Sequence, residues 1–299
     1  MKPRPKKRFA PLNPATVVLI KQGLRGLAVF TVVGLLITAI WHGTRVESLT
    51  LKAVTVTGNE TIPEREIEKA VELVLEGTYL GLVPRTFTWF YHEGEILTAL
   101  KAIPRVKTVT LEEPENGTLA IAVTEYEPDA LWCNTESEDE CLFLDETGYA
   151  FASAPNLTGG SLLRYFMLQS KPERGVNPFA AGDYQATKDF IAGLASTGWF
   201  VSTVEIDLVR DAFFTLVPGS EIKITLVDEV GAPLRYIETL RGSAEYSHLT
   251  PGNFQYLDLR FGAKVFVNEE PLELSTTTAT TTDTELTEPE PETPAAVVE

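Results

Sequence analysis

Histidine, cysteine and methionine are scarce in this chain, with three, two and two in 299 residues. The histidines, His42, His92 and His248, are isolated from one another in sequence, which leaves little material for acid–base work near neutral pH. No Gly-x-Ser-x-Gly elbow, Gly-x-x-x-x-Gly-Lys-Ser/Thr loop, His-Glu-x-x-His or Cys-x-x-Cys occurs. These absences count against an enzyme, although a triad can be assembled from distant residues. No catalytic residue, cofactor-binding residue or metal ligand is therefore expected. Thr158-Gly-Gly-Ser161 lacks a preceding strand and a lysine, so it reads as a connection rather than a phosphate cradle. Asp145 and Gly148 suit a turn better than a Ca²⁺ site, which needs more oxygen ligands. The Asn-x-Thr triplets at Asn59, Asn116 and Asn156 are acceptors only in a eukaryotic secretory setting.

Acidic residues are missing from one place. The first 25 residues carry Lys2, Arg4, Lys6, Lys7, Arg8, Lys21 and Arg25 and no acid, whereas the net charge is −17, so the rest of the chain holds −24. Beside this basic arm runs an uncharged stretch from Gly26 to Thr44. A helix of that length spans about 28 Å, close to a bilayer core of about 30 Å. A soluble core helix fits poorly, because the run is apolar all round. A cleaved signal peptide is the nearer rival, but its apolar region is usually shorter, and Trp41-His-Gly-Thr-Arg45 carries no Ala-x-Ala site. The expectation is an uncleaved anchor over 26–44. Short basic flanks stay cytoplasmic, which predicts a single pass through the plasma membrane with residues 1–25 inside and the remainder outside. Topology and anionic headgroups explain the basic arm better than nucleic acid does.

On the outer side a disulfide between Cys133 and Cys141 can persist, whereas metal binding by two cysteines without a nearby histidine is the weaker reading. The acidic loop between them reads as a polar hairpin. Upstream, Leu49 to Thr57 reads as a strand ended by Gly58-Asn59. Thr61-Ile-Pro-Glu64 has the spacing of a capping box before a helix over 62–76 with Ile67, Ala70, Val71, Val74 and Leu75 on one face. Residues 78–91 are a mixed linker with some strand character. A second helix follows over 93–102, with Ile96, Leu97 and Leu100 on one face and Pro104 beyond its end. Arg105–Leu111 and Thr118–Thr124 flank an Asn-Gly turn. The order is β-α-α-β-β over 49–126.

From 127 to 270 the pattern is of short strands: 130–133, 141–144, 149–152, 201–208, 212–217 and 221–226. Residues 153–177 match no element. A helix over 184–198 is expected to face inward through Phe190, Ile191, Leu194 and Ala195, and another over 233–242 through Leu234, Ile237 and Leu240. Phe254 to Val267 alternates as one extended run in which Gly262 permits a bulge. Residues 271–299, rich in Thr, Glu and Pro, have the composition of a disordered acidic tail. The fold class is α+β, with a single N-terminal transmembrane helix, a β-α-α-β-β unit and a mostly antiparallel β domain with flanking helices.

This succession resembles the FtsQ/DivIB family of bacterial cell-division proteins. Val54-Thr-Val-Thr-Gly-Asn59 and the capped helix resemble the family's POTRA domain. Ile103-Pro-Arg-Val106, Val123-Thr-Glu-Tyr-Glu-Pro128, Phe143-Leu-Asp-Glu-Thr-Gly148 and Tyr256-Leu-Asp-Leu-Arg-Phe261 match later pieces. Tyr126 departs from the arginine common there, and the Cys133 to Cys141 loop looks like an insertion. The resemblance implies a non-catalytic divisome scaffold that binds small bitopic coiled-coil proteins (FtsB/FtsL or DivIC-like) by strand addition, without a cofactor. By the same resemblance Tyr256, Asp258, Leu259, Arg260 and Phe261 fall on the binding edge, and Val265, Phe266 and Val267 continue it. Alternation puts Leu257, Leu259 and Phe261 on a core face and Tyr256, Asp258 and Arg260 on the partner's. Two other readings are a POTRA-type export or assembly chaperone and an outer-face wall hydrolase using His92 or His248.

Overall fold

The computed structural model describes residues 13–112, 114–137, 140–157, 160–226 and 231–270. Residues 1–12 of the basic arm, part of the 158–161 connection and the acidic tail lie outside these residues. The first element, α1 (Pro14–Gly43), is a 30-residue helix with no buried residue. It begins twelve residues before the expected start at Gly26. Nothing between Pro14 and Gly26 breaks a helix, Pro14 sits in the first turn, and the Asn13 side chain accepts from the Ala15 amide at 3.4 Å. The whole is about 45 Å long, more than a bilayer core, so Lys21 and Arg25 have room to reach headgroups. Inside the apolar part, the Thr31 and Thr38 hydroxyls donate to the Leu27 and Gly34 carbonyls at 2.8 Å. Neither threonine hydroxyl would be left unpaired in a bilayer core. The helix is long and apolar enough to cross a membrane.

A 3₁₀ turn, Glu47–Leu49, leads to β1 (Ala53–Thr57), so the strand is shorter than expected. Then come α2 (Glu64–Leu75), the small pair β2 (Thr78–Tyr79) and β3 (Val83–Pro84), α3 (Glu93–Lys101), β4 (Val106–Leu111) and β5 (Thr118–Glu125). The expected β-α-α-β-β order is present, with the linker supplying the β2–β3 hairpin. The sheet order is β1-β5-β4, with β1 parallel to β5. Both helices lie on one face and bury Ile67, Val71, Ile96 and Leu100 against Leu119 and Ile121. Each such side chain contributes about 1.5–3 kcal/mol.

One local expectation fails. Pro63, not Thr61, is the N-cap of α2, and it makes no side-chain cap. The Glu125 carboxylate does this work from the end of β5, accepting from the amides of Glu60, Thr61 and Ile62 at 2.7–2.9 Å and from the Thr61 hydroxyl. Gly58 turns the chain back over β5, which brings the loop within reach of a carboxylate sixty residues away.

The remaining strands build one nine-stranded sheet. They are β6 (Ala130–Cys133), β7 (Cys141–Leu144), β8 (Ala150–Ser153), β9 (Leu163–Met167), β10 (Phe200–Ile206), β11 (Asp211–Val217), β12 (Glu221–Thr225), β13 (Tyr256–Phe261) and β14 (Lys264–Asn268). Their order is β14-β13-β12-β11-β10-β9-β6-β7-β8. Cys133 and Cys141 face each other in register and form a disulfide. Central strand β9 falls in the stretch where no element was expected. It is short, Arg164 interrupts its apolar run, and Pro, Gly and Ser surround it, so periodicity alone is mute there. Two of the three parallel contacts, β9–β10 and β12–β13, are crossovers through α4 (Asp183–Ser196) and α5 (Gly231–Gly242). Both helices therefore lie on one face, over a core that includes Trp132, Tyr165, Phe190, Phe214, Ile222, Ile237, Phe254 and Leu257. On α4 the inward residues are Tyr184, Thr187, Phe190 and Leu194, with Ile191 partly buried and Ala195 exposed, contrary to expectation.

The Asp145 to Gly148 turn is tightly specified. The Asp145 carboxylate accepts from the Thr147 amide and hydroxyl and from the Tyr149 amide. Gly148 has φ +83°, and an added Cβ would lie 2.8 Å from Phe179 and 2.9 Å from Tyr184. Gly148→Ala is thus expected to cost about 2 kcal/mol, through both left-handed backbone and overlap with two rings. Thermal melting followed by circular dichroism measures it, and an unchanged midpoint would show that the rings yield freely.

Candidate functional site

The two ends of the nine-stranded sheet differ. At one end β8 is covered at Ala150 by the connection between β9 and α4, since the Gly175 amide donates to the Ala150 carbonyl and the Ala150 amide to the Val176 carbonyl, at 2.8 and 2.9 Å. At the other end, among the described residues, β14 pairs only with β13. An open strand edge offers a row of backbone donors and acceptors to an incoming strand.

The sequence-predicted residues divide across this end. Gly262, with φ +64°, sits in a turn rather than a bulge, so the long run folds into the β13–β14 hairpin. Tyr256, Asp258, Leu259, Arg260 and Phe261 lie on β13, which is not the edge, because its Tyr256 to Asp258 segment pairs with β12 on the other side. Val265, Phe266 and Val267 lie on β14, the edge itself. The expected alternation holds through Leu259, with Leu257 and Leu259 in the core and Asp258, itself buried, on the opposite face, and it fails at Phe261, which is 56% exposed. A register irregularity between Asp258 and Phe261 brings the Phe261 ring to the side of Phe266, while the Arg260 guanidinium covers the Asp258 carboxylate.

Arg260 is already occupied. Its guanidinium makes a bidentate contact with Asp258, with Nε–Oδ1 2.9 Å and Nη2–Oδ2 2.6 Å, and a third bond to Asp211 at 2.7 Å. Thr225 in turn donates to Asp211 at 2.6 Å. Burial alone would raise the Asp258 carboxyl, but hydrogen bonds from Arg260 and the charges of Arg260 and Lys223 outweigh it and hold the group below its usual range. The Arg260 guanidinium is raised, above all by its bond to Asp258. Arg260 is therefore an internal fastener rather than a free partner contact.

The face of the sheet opposite the helices carries a row in register: Phe213, Lys223, Asp258 and Phe266. Lys223 Nζ sits 4.5 Å from the Tyr256 ring centre and 5.7 Å from that of Phe213. The Arg260 guanidinium lies 5.6 Å from Phe213 and 5.7 Å from Phe261. Phe261 and Phe266, the latter 50% exposed, meet edge to face at 5.2 Å beside the open edge. Cation–π contacts hold these rings in place while leaving apolar area in water. Asp211, Phe213 and Lys223 were not singled out from the sequence. The usable signal was a phenylalanine in the polar phase of the alternating strand Asp211–Val217.

The histidines occupy three unconnected settings. His42 is in α1, His92 caps α3 with Nδ1 2.8 Å from the Tyr79 hydroxyl, and His248 Nε2 lies 3.1 Å from Glu269. The chain matches no protein-family model and no curated protein.

Proposed function

We propose that the chain is a non-catalytic, single-pass membrane scaffold of the bacterial division machinery, oriented with its N-terminus in the cytoplasm. The observation that carries this reading is the open edge of β14 with Phe261 and Phe266 exposed beside it, in a sheet whose other edge is covered. An apolar helix followed by a small β-α-α-β-β unit and then this sheet is the order that resembles FtsQ/DivIB proteins, with the first unit read as POTRA. The basic arm supports the orientation. The partner is a small bitopic coiled-coil division protein that adds a strand along β14. Backbone bonds would supply affinity and the two rings selectivity. Tethering both proteins in one membrane raises their effective concentration, so a modest edge contact suffices.

Co-purification of the full chain with its division partners from membranes tests this. Phe266→Asp combined with Phe261→Ala is expected to reduce retention about tenfold, the equivalent of 1.4 kcal/mol, while Phe200→Asp on β10 leaves it unchanged. Equal retention by all variants removes β14 as the binding edge. A fluorescently tagged chain spread evenly around dividing cells, rather than gathered at midcell, removes the division assignment.

A further inference from the structure

The connection from α2 to α3, which contains the β2–β3 hairpin, presents three large apolar side chains to solvent. Leu80 is 97% exposed, Trp89 75% and Phe90 65%. The hairpin is fastened to the end of α1, because Arg45 Nη1 donates both to the Trp41 carbonyl at 2.9 Å and to the Leu82 carbonyl at 2.8 Å. The same guanidinium lies 4.1 Å over the Trp41 ring. The Leu82 amide returns to the Tyr79 carbonyl at 3.0 Å, so Leu80 stands at the tip of a four-residue turn next to this anchor point. Trp89 and Phe90 follow in the same connection, where Thr88 donates to Leu49 and both rings pack on buried Phe87.

The turn is also locally unfavourable. Leu80 has φ +50° and Gly81 φ +72°, a pair that asparagine–glycine would fill without strain. A leucine in the left-handed region is strained, and at 97% exposure it gains no packing inside the protein. A solvent-exposed leucine tip with a neighbouring tryptophan is the composition that partitions to a membrane interface, where an amphipathic ring sits at headgroup depth.

From this geometry we propose that Leu80, Trp89 and Phe90 dock in the headgroup–acyl boundary of the bilayer that α1 crosses. This inference rests on the membrane-spanning reading of α1. Its consequence is that the first unit lies against the lipid surface rather than swinging on a free linker.

The test places an environment-sensitive fluorophore on single cysteines in the full chain, with the Cys133–Cys141 disulfide kept oxidised. The chain is reconstituted in vesicles of phosphatidylcholine and phosphatidylglycerol with or without brominated acyl chains. Labels at Leu80→Cys and Phe90→Cys are expected to shift to the blue and lose emission to brominated lipid. Phe30→Cys in α1 should be quenched more deeply, and Leu73→Cys on the outer side of α2 not at all. Quenching at Phe30 without quenching at 80 and 90 overturns this inference and leaves the spanning helix intact. Absence of quenching at Phe30 overturns the spanning reading as well. A blue shift at 80 and 90 insensitive to brominated lipid means that protein covers the tip, and it also overturns the inference.

Discussion

Replacing Arg260 with alanine is expected to lower the stability of the nine-stranded sheet by about 3–5 kcal/mol at neutral pH. Asp258 is buried, and Asp211 is mostly covered, so losing their shared guanidinium leaves two carboxylates facing each other across β12 without a hydrogen-bonded cation, with Lys223 acting on Asp258 through its charge alone. Urea denaturation read by the fluorescence of Trp132 and Trp199, both buried in that core, measures the loss. The pH dependence separates this cause from simple loss of side-chain packing. With Arg260 present, the folded-state carboxyl of Asp258 titrates below its unfolded value. Its contribution is therefore complete above about pH 4 and lost as pH falls through the folded value. Without Arg260, burial dominates and the folded value moves upward, so protonation relieves the variant. The gap between the two proteins should thus narrow as pH falls toward 4. A gap that is constant with pH would assign the effect to packing. Replacing the group as a whole, with Asp211→Asn, Asp258→Asn and Arg260→Met, should recover most of the loss, because the uncompensated charges cause it.

This result bears on where a partner binds. Charge reversal at Arg260 would abolish partner retention by damaging the sheet, whether or not the residue touches the partner. Phe266 is the informative position, since its ring is half exposed and meets Phe261 of β13 edge to face. On the proposed reading, scaffolding and recognition are divided along one hairpin. β13 holds the sheet end together, and β14 carries the open backbone.

Periodicity made much of the fold legible. The apolar run became α1, and Ile67, Val71, Ile96 and Leu100 mark the inner faces of α2 and α3 as their spacing implies. β10, β11 and β12 emerged within one or two residues of their expected ends, whereas the single run expected from Phe254 to Val267 became the two strands β13 and β14. What stayed hidden depends on contacts distant in sequence. β9 is a strand because β6 and β10 flank it on both sides, not because Leu163-Arg-Tyr-Phe-Met alternates. The site was half legible for the same reason. Tyr256 to Val267 is recognisably extended, but which of its strands lies at the edge is decided by the turn at Gly262 and by a parallel partner brought in through α5. The burial of Asp258 likewise depends on Arg260, which Asp211 holds from β11, a contact distant in sequence.

Glu125→Ala is the second large effect, expected at about 2–4 kcal/mol in the β-α-α-β-β unit. Three backbone amides and one hydroxyl lose their shared acceptor at once, and the loop from Gly58 to Pro63 loses what fixes the start of α2. Burial opposes the charge of this carboxylate, but the hydrogen bonds from Thr61 and from the Ile62, Glu60 and Thr61 amides prevail and lower its pKa. Its stabilisation is accordingly present above the usual glutamate range, near pH 4, and disappears as pH falls through the lowered folded value. Glu125→Gln separates acceptor from charge. One carbonyl oxygen can still serve the amides, so the loss should be roughly half that of alanine, without the acid-limb dependence. Hydrogen exchange at the amides of Glu60, Thr61 and Ile62 gives the local readout, and protection there should fall in the order wild type, glutamine, alanine. Unchanged protection in Glu125→Ala would mean that Thr61 and Glu64 close a capping box once the carboxylate is gone. The spacing of Thr61 and Glu64 makes that rearrangement the natural competitor. It is disfavoured in the native protein because a buried carboxylate on a rigid strand satisfies three amides, whereas a capping box satisfies two.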